Sequence, residues 1–358
     1  MAFSAGETLT LRCDAPPLGA GTSGRVLAIA ADTVPDGRRY AVKRVGLAQG
    51  SLRLAQFVEC QLHSSLPRSD AVVEYLCAWT CDDTLNILLE RVDSELWDGL
   101  FSEASEPWMD TARRRLDWGR TLLQAVECLH AHGVAHRDIS PWNCFLSGHR
   151  LKLGDFGLAC RCPPSGSPSA LGGLFGMVSD GCAPLDESAV GSLYSAPELG
   201  SDAGYEAKEV DVYSAGMTLF ALWHGVVCAA AVAAGNAVPL DGEEELTSCV
   251  ERLKGDGTLP DVWKRVGGSM GALVLRMVNH EPQARPSAGE CLGLLHRMRV
   301  GGAGCVTCEA THDEPGAAKA QPPRYLLTAP RASLHPMRWL HWARRRHGNR
   351  TPTQHVVL

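Results

Sequence analysis

The hydrophobic pattern of the chain changes period once, near Glu95, and that change limits the possible folds more than any other feature. Before it, short apolar runs of strand length dominate. "RVLAIAAD" and "RRYAVKRV" bracket the turn segment "TVPDG", and "VVEYLCAWT" and "LNILLERV" bracket "CDD". The first pair reads as a hairpin. Between the pairs, "LRLAQFVECQLHSSL" places Leu54, Phe57, Val58, Leu62 and Leu66 at helical spacing. The first part of the chain is therefore expected to be antiparallel strands with one helix. Beyond Glu95 the pattern is helical, as in "DWGRTLLQAVECLHAHG", where Gly133 stands like a helix stop. A Gly-, Pro- and Ser-rich stretch from Pro163 to Ser192 interrupts this half and reads as a long loop. From Gly301 helical periodicity is lost. Lys319, Arg324, Arg331, Arg338, Arg344, Arg345, Arg346 and Arg350 there outnumber Glu309, Asp313 and Glu314, which reads as a basic, mostly disordered tail.

Composition narrows the surroundings. The formal net charge of −6 is mildly acidic and signals neither nucleic acid nor a membrane surface. Cysteines are scattered singly, at Cys13, Cys60, Cys77, Cys128, Cys144, Cys228, Cys249 and Cys291, many within apolar runs, which favours reduced and buried thiols. The pairs Cys160/Cys162 and Cys305/Cys308 lack a second pair at zinc spacing. "MAFSAGETLTLRC" lacks the basic start and apolar core of a signal peptide, and no apolar run reads as a membrane span. A cytoplasmic or nuclear location is the expectation.

Three constellations carry chemistry. "GAGTSG", Gly19 to Gly24, is followed by the β-branched and apolar "RVLAIA" and not by a helix. It therefore reads as a glycine loop joining two strands, able to bring backbone amides close to phosphates. In "YAVKRV", Lys43 stands mid-strand among apolar neighbours. Alone it would be a snorkelling surface lysine. With Glu59 on the following helix it gains a carboxylate partner. Finally, "HRDISPWN" and "GDFG" place Asp138, Asn143 and Asp155 in an order that suits one carboxylate orienting a hydroxyl while an amide and a second carboxylate hold magnesium.

Taken together, these motifs resemble those of the eukaryotic protein kinases, from about Leu11 to Arg299. The resemblance implies an α+β, two-lobed protein-kinase-like fold with a small β-rich N-lobe (about 11–92) and a larger helical C-lobe (about 93–300), an N-terminal extension over 1–10 and the tail over 301–358. It implies ATP and Mg2+ as the ligands, and transfer of the γ-phosphoryl group to serine or threonine of a protein substrate. Gly19, Ala20, Gly21, Thr22, Ser23 and Gly24 would cover the phosphates, with Val26 and Ala41 packed on adenine. Lys43 would hold the phosphates and pair with Glu59. Leu89 resembles the gatekeeper, and Glu90, Arg91 and Val92 the hinge. Asp138 would be the catalytic base, and Asn143 and Asp155 the metal ligands. "SAPE", ending at Glu198, and Arg285 in "EPQARPSA" resemble a buried ion pair, and Asp211 a brace of the catalytic loop. His136 resembles a packing residue of that loop, and the other histidines suggest no role.

Departures from the family pattern are also visible. Ser140 stands in the catalytic loop where Ser/Thr kinases carry a lysine, and offers only a neutral hydrogen bond to a moving phosphoryl group. That substitution favours the alternative reading, a pseudokinase-like nucleotide-binding scaffold. The intact Lys43, Asp138, Asn143 and Asp155 oppose it. The stretch between Asp155 and Glu198 is long, with Ser188, Ser192 and Tyr194 as candidate phosphate acceptors and Arg137 as a candidate partner for such a phosphate. "YLCAWTCDDTLNILLE" is similar to the same stretch in Wee-type kinases and in kinases of a translation-initiation-factor alpha subunit, with "VGSLYSAPE" leaning to the latter. The tail segment "MRWLHWARRRHGNR" could serve as an import signal, a docking peptide or an interfacial helix, beside the plainer reading of a solvated tail.

Overall fold

A computed structural model describes residues 8–12, 17–21, 24–29, 39–47, 57–102, 108–162, 192–200, 205–235, 243–300, 306–308 and 353–357. In the N-terminal lobe, β1 (Thr8–Arg12) is followed by β2 (Gly19–Gly21), β3 (Gly24–Ala28), β4 (Tyr40–Gly46), β5 (Tyr75–Cys81) and β6 (Thr84–Glu90). The last five form one antiparallel sheet in the order β2-β3-β4-β6-β5. Its alternation sorts the side chains. Leu27 and Val42 are cross-strand partners and lie in a buried cluster with Ile29, Tyr40, Trp79 and Leu88. On the opposite face Ile87, the partner of Lys43, packs with Leu85 and with Cys60 of helix α1 (Val58–Ser65). Among the described residues the helix covers only the second part of the periodic stretch. Phe57 is its N-cap, and Leu54 lies outside the described residues. The turn at "CDD" places Asp82 at φ 51°, the left-handed conformation that Asp tolerates better than most residues.

Beyond the hinge, β7 (Ser94–Glu95) leads into α2 (Leu96–Ser102) and the long α3 (Trp108–Ala131). Helix α3 ends as predicted, with Gly133 in the left-handed region at φ 67°. Short strands β8 (Val134–Ala135), β9 (Cys144–Ser147), β10 (Arg150–Leu153) and β11 (Cys160–Arg161) carry the catalytic-loop region. The rest is helical: α4 (Ala207–Ala233), α5 (Glu243–Asp256), α6 (Asp261–Val266), α7 (Gly268–Met277) and α8 (Ala288–Arg297). Helix α8 opens with a capping box between Ser287 and Glu290.

On two points the structure differs from the sequence expectations, and on one, the tail, it adds detail. Helix α4 is long and apolar enough to cross a membrane, although no apolar run was read that way; 83% of its apolar window is buried within the protein, and it is the core helix of the C-terminal lobe. Within the tail, expected to be mostly disordered, two short segments are strands. Val306–Cys308 (β13) pairs with Met298–Val300 (β12), and Thr353–Val357 (β14) pairs antiparallel with β1, from Thr8↔Val357 to Arg12↔Thr353. Both segments are short runs containing valine and threonine, signals that the surrounding Pro, Gly and Arg mask. Third, Cys160 is disulfide-bonded, against the expectation of reduced thiols, whereas Cys60, Cys144, Cys228, Cys249 and Cys291 carry reduced, buried thiols.

Candidate active site

The site is built between the two lobes, starting from strand parity. Val26 is the cross-strand partner of Lys43, and Ala28 that of Ala41, so all four share one face of the sheet. Lys43 is 4% exposed, and its Nζ donates to Glu59 Oε1 at 2.8 Å, Glu59 Oε2 at 2.9 Å and Asp155 Oδ1 at 2.7 Å. Burial opposes its charge, but the two carboxylates outweigh burial and hold its pKa above the ordinary lysine value. Burial also pushes Asp155 up, yet Lys43 and the Gly157 N–H bring it below the usual carboxylate value. For Glu59, burial wins over Lys43 and the net shift is upward. One ammonium thus serves two carboxylates and ties α1 to the segment before Gly157.

In the catalytic loop, Asn143 Nδ2 donates to Asp138 Oδ2 at 2.7 Å and to the Asp138 carbonyl at 2.8 Å, which fixes the carboxylate's orientation. Burial lifts the pKa of Asp138, as suits a group that accepts a proton. The loop is braced from below. Asp211, fully buried on α4, accepts the backbone N–H groups of His136 at 2.8 Å and Arg137 at 2.7 Å and contacts His130 Nε2 at 2.9 Å. Arg137, at φ 63°, donates to the Leu158 carbonyl and the Tyr205 hydroxyl, both at 2.7 Å. Ser140 is 4% exposed, and its carbonyl accepts the N–H groups of Asn143 and Cys144, each at 3.1 Å. Its place is in the turn that presents Asn143.

The donor chemistry fits a hard cation. Asn143 spends its amide N–H on Asp138, and Lys43 and Gly157 engage Asp155 Oδ1. Asn143 Oδ1 and Asp155 Oδ2 are left outside the hydrogen bonds among the described residues. An amide and a carboxylate oxygen are the ligand types that magnesium takes. The glycine loop fits phosphates. Gly24 has φ 123°, and a Cβ there would stand 2.3 Å from the Arg44 carbonyl oxygen; around Gly19 a Cβ would meet nothing within 4 Å. Thr22 and Ser23 lie outside the described residues. At the hinge, the Glu90 N–H bonds the Glu74 carbonyl at 3.0 Å and the Arg91 N–H the Arg39 carbonyl at 2.9 Å. Val92 is therefore the hinge residue whose N–H is not used among the described residues. Glu90 also pairs with Lys152 at 2.7 Å. Leu89 packs beside the cluster of Cys60, Leu85 and Ile87.

Sequence reasoning missed His63. It stacks on Phe156 of "GDFG" with ring centroids 4.3 Å apart, touches Tyr75 at 5.5 Å, and its Nε2 bonds the Val73 carbonyl at 2.7 Å. His136 meets the same Phe156 at 5.1 Å, so a ring stack runs from α1 through "GDFG" to the catalytic loop. Burial lowers the His63 pKa to about 4. The only sequence signal was its spacing of one helical turn from Glu59.

Of the candidate phosphate acceptors, Ser188 lies outside the described residues. Ser192 Oγ accepts the Tyr194 N–H at 3.2 Å, and its carbonyl accepts Lys254 Nζ at 2.6 Å. Tyr194 is corrected as an acceptor. It is 2% exposed, burial raises its pKa, and its ring meets Trp142 edge-on at 5.4 Å. The expected ion pair forms: Arg285 Nη1 and Nη2 donate to the two Glu198 carboxylate oxygens, the second at 3.0 Å.

A second group of ligating side chains, His224, Glu245 and Cys249, gathers between α4 and α5. It closes on itself. Trp263 Nε1 donates to His224 Nδ1 at 3.1 Å, so the neutral ring carries its proton on Nε2, which lies 3.6 Å from Cys228 Sγ, while Cys249 Sγ donates to Glu245 at 3.5 Å.

Comparison with known proteins agrees with this geometry. The model of the protein kinase domain matches residues 14–294. Calcium-dependent protein kinase 9 of Oryza sativa subsp. japonica is 30% identical over 242 residues, 65% of this chain and 36% of that protein. The membrane-associated tyrosine- and threonine-specific cdc2-inhibitory kinase wee-1.3 of Caenorhabditis briggsae is 27% identical over 274 residues, 76% of this chain and 36% of that protein. The eIF-2-alpha kinase GCN2 of Arabidopsis thaliana is 29% identical over 174 residues, 48% of this chain and 13% of that protein. The chain thus spans well under half the length of these relatives. With the matched family model running across both lobes and through every motif of the site, the chain belongs to the protein kinase family.

Proposed function

We propose that the chain is an active, ATP-dependent protein kinase acting on serine or threonine. The observation that carries this is the joint geometry of Lys43, Glu59, Asp138, Asn143 and Asp155, with the buried lysine held between two carboxylates and Asp138 held by Asn143. A scaffold that only bound nucleotide would have no use for an oriented Asp138. The acceptor hydroxyl is oriented by Asp138, which takes its proton as the phosphoryl group leaves ATP. Lys43 supplies positive charge to the phosphates, and Glu59 keeps it in place. Gly19, Gly21 and Gly24 let the backbone approach the phosphates. Val26, Ala41 and Leu89 form the apolar bed for adenine, whose edge takes the Val92 N–H. Magnesium, when bound, is held by Asn143 and Asp155 and neutralises phosphate charge. The absent loop lysine means that Ser140 contributes shape and no charge, which lowers the rate without removing the base. A lean toward the alpha-subunit or Wee-like kinases rests on the two relatives of those names.

The test is magnesium-dependent transfer from γ-labelled ATP to mixed protein substrates, followed by phosphoamino-acid analysis, with Ser140→Lys in parallel. Labelled serine or threonine in the wild type, with Ser140→Lys equal or faster, supports the reading. ATP binding without transfer by either protein would replace it with the scaffold.

A further inference from the structure

An aromatic surface stands beside the oriented Asp138 that the chemistry of transfer does not use. Trp142 is the residue before Asn143 and is 39% exposed; Phe101, on α2, is 40% exposed. Between them Trp97 stacks on Trp142, with centroids 4.8 Å apart and planes at 29°, and meets Phe101 edge-on at 5.3 Å. Tyr194 meets Trp142 edge-on at 5.4 Å. The arrangement is fixed to the catalytic loop, because the Trp97 N–H donates to the Pro141 carbonyl at 3.2 Å. Isolated exposed aromatics need no explanation, but contiguous ones anchored to a catalytic loop mark a surface that another molecule covers.

We infer that Phe101, Trp97 and Trp142 form a subsite for a large apolar side chain, aromatic or branched aliphatic, of the protein substrate close to the acceptor hydroxyl, since Trp142 shares the catalytic loop with Asp138. This rests on the phosphotransfer reading and names its substrate class. The occupant follows from ring geometry. A cation binds over an open ring face, yet the inner faces of Trp97 and Trp142 are spent on each other. What remains open favours edge-to-face and aliphatic contact. The carboxylates on the same stretch are Glu95, lifted by burial and by the charge of Asp98, and the exposed Asp98 itself. They provide the competing possibility of a basic substrate.

The experiment uses the full chain with peptides carrying one serine, in which each flanking position is varied among Phe, Leu, Ala, Arg and Asp. Turnover and direct peptide binding by fluorescence anisotropy are both measured, for wild type, Trp142→Ala and Phe101→Ser. The expected result is a preference of about tenfold or more for Phe or Leu over Ala at one or two positions. It is expressed mainly in KM and in binding, and reduced in both variants. Nucleotide affinity and the thermal melt, measured beside these, stay at the wild-type values in Phe101→Ser and show that the fold is intact. Preference for Arg, or an apolar preference that neither variant alters, overturns the subsite while leaving the kinase reading in place. Apolar-selective binding lost in Phe101→Ser, without turnover of any peptide, supports the subsite and removes the phosphotransfer reading instead.

Discussion

Protonation of His63 should cost this protein stability in a pH range where most of its surface is indifferent. The imidazole is buried between Tyr75 and Phe156, and its folded pKa is about 4, against 6.5 for the free side chain. The unfolded chain therefore binds more protons than the folded one between those values. Stability is full above pH 6.5 and falls as pH drops toward 4. At about 1.4 kcal/mol per decade, the whole gap is worth about 3 kcal/mol. Between pH 7.5 and 5 the loss is about 2 kcal/mol, or about 4–8 °C in Tm for a domain of this size. His63→Gln keeps a donor for the Val73 carbonyl and cannot titrate. Thermal melts of both proteins across that range should show the wild type losing the extra stability, with the two curves converging or crossing as pH falls. Because the ring leans on Phe156, nucleotide affinity of the wild type should weaken in the same window. Parallel pH dependence of the two proteins would refute the assignment.

Other outcomes follow from the same geometry. Lys43→Met leaves Glu59 and Asp155 without their shared cation and should reduce phosphotransfer by about 100-fold or more, measured as kcat with labelled ATP; near wild-type kcat would show that the lysine is only structural. Arg285→Met strands Glu198, and should lower stability by about 3–5 kcal/mol, a fall in Tm on the order of 10 °C by calorimetry. Gly24→Ala forces a Cβ against the Arg44 carbonyl at φ 123°, and should cost about 1–3 kcal/mol, seen in melts and as weaker nucleotide binding; unchanged ATP affinity would separate the loop's shape from its role.

Local pattern revealed what was local. The glycine loop, the strand carrying Lys43, the order Asp138, Asn143, Asp155 and the stop at Gly133 are each encoded within a few neighbouring residues. The pairing of Lys43 with Glu59 was reachable because helix α1 follows the strand closely. His63 was not reachable in the same way. Its meaning lies in contact with Phe156 and Tyr75, and a ring stack assembled from α1, β5 and the "GDFG" turn has no periodicity to read. Tyr194 misled for a related reason: a tyrosine in a Ser-rich loop reads as exposed, and only the packing of Trp142 shows it to be covered. Composition alone does not place helix α4, since a helix buried all round within a protein carries the composition of one buried in lipid. The strand at 353–357 depends on a partner at the opposite end of the chain, a register that no local window contains.

The central claim is that an oriented Asp138 makes this a phosphotransfer catalyst. Its most direct test is the single-turnover rate of labelled phosphate transfer in wild type and Asp138→Asn, with ATP affinity measured for both. A fall of about 100-fold or more in rate at unchanged ATP affinity is the predicted result, since proton abstraction alone contributes on this scale. Equal rates in the two proteins, or no transfer above background in either despite normal ATP binding, would contradict the account.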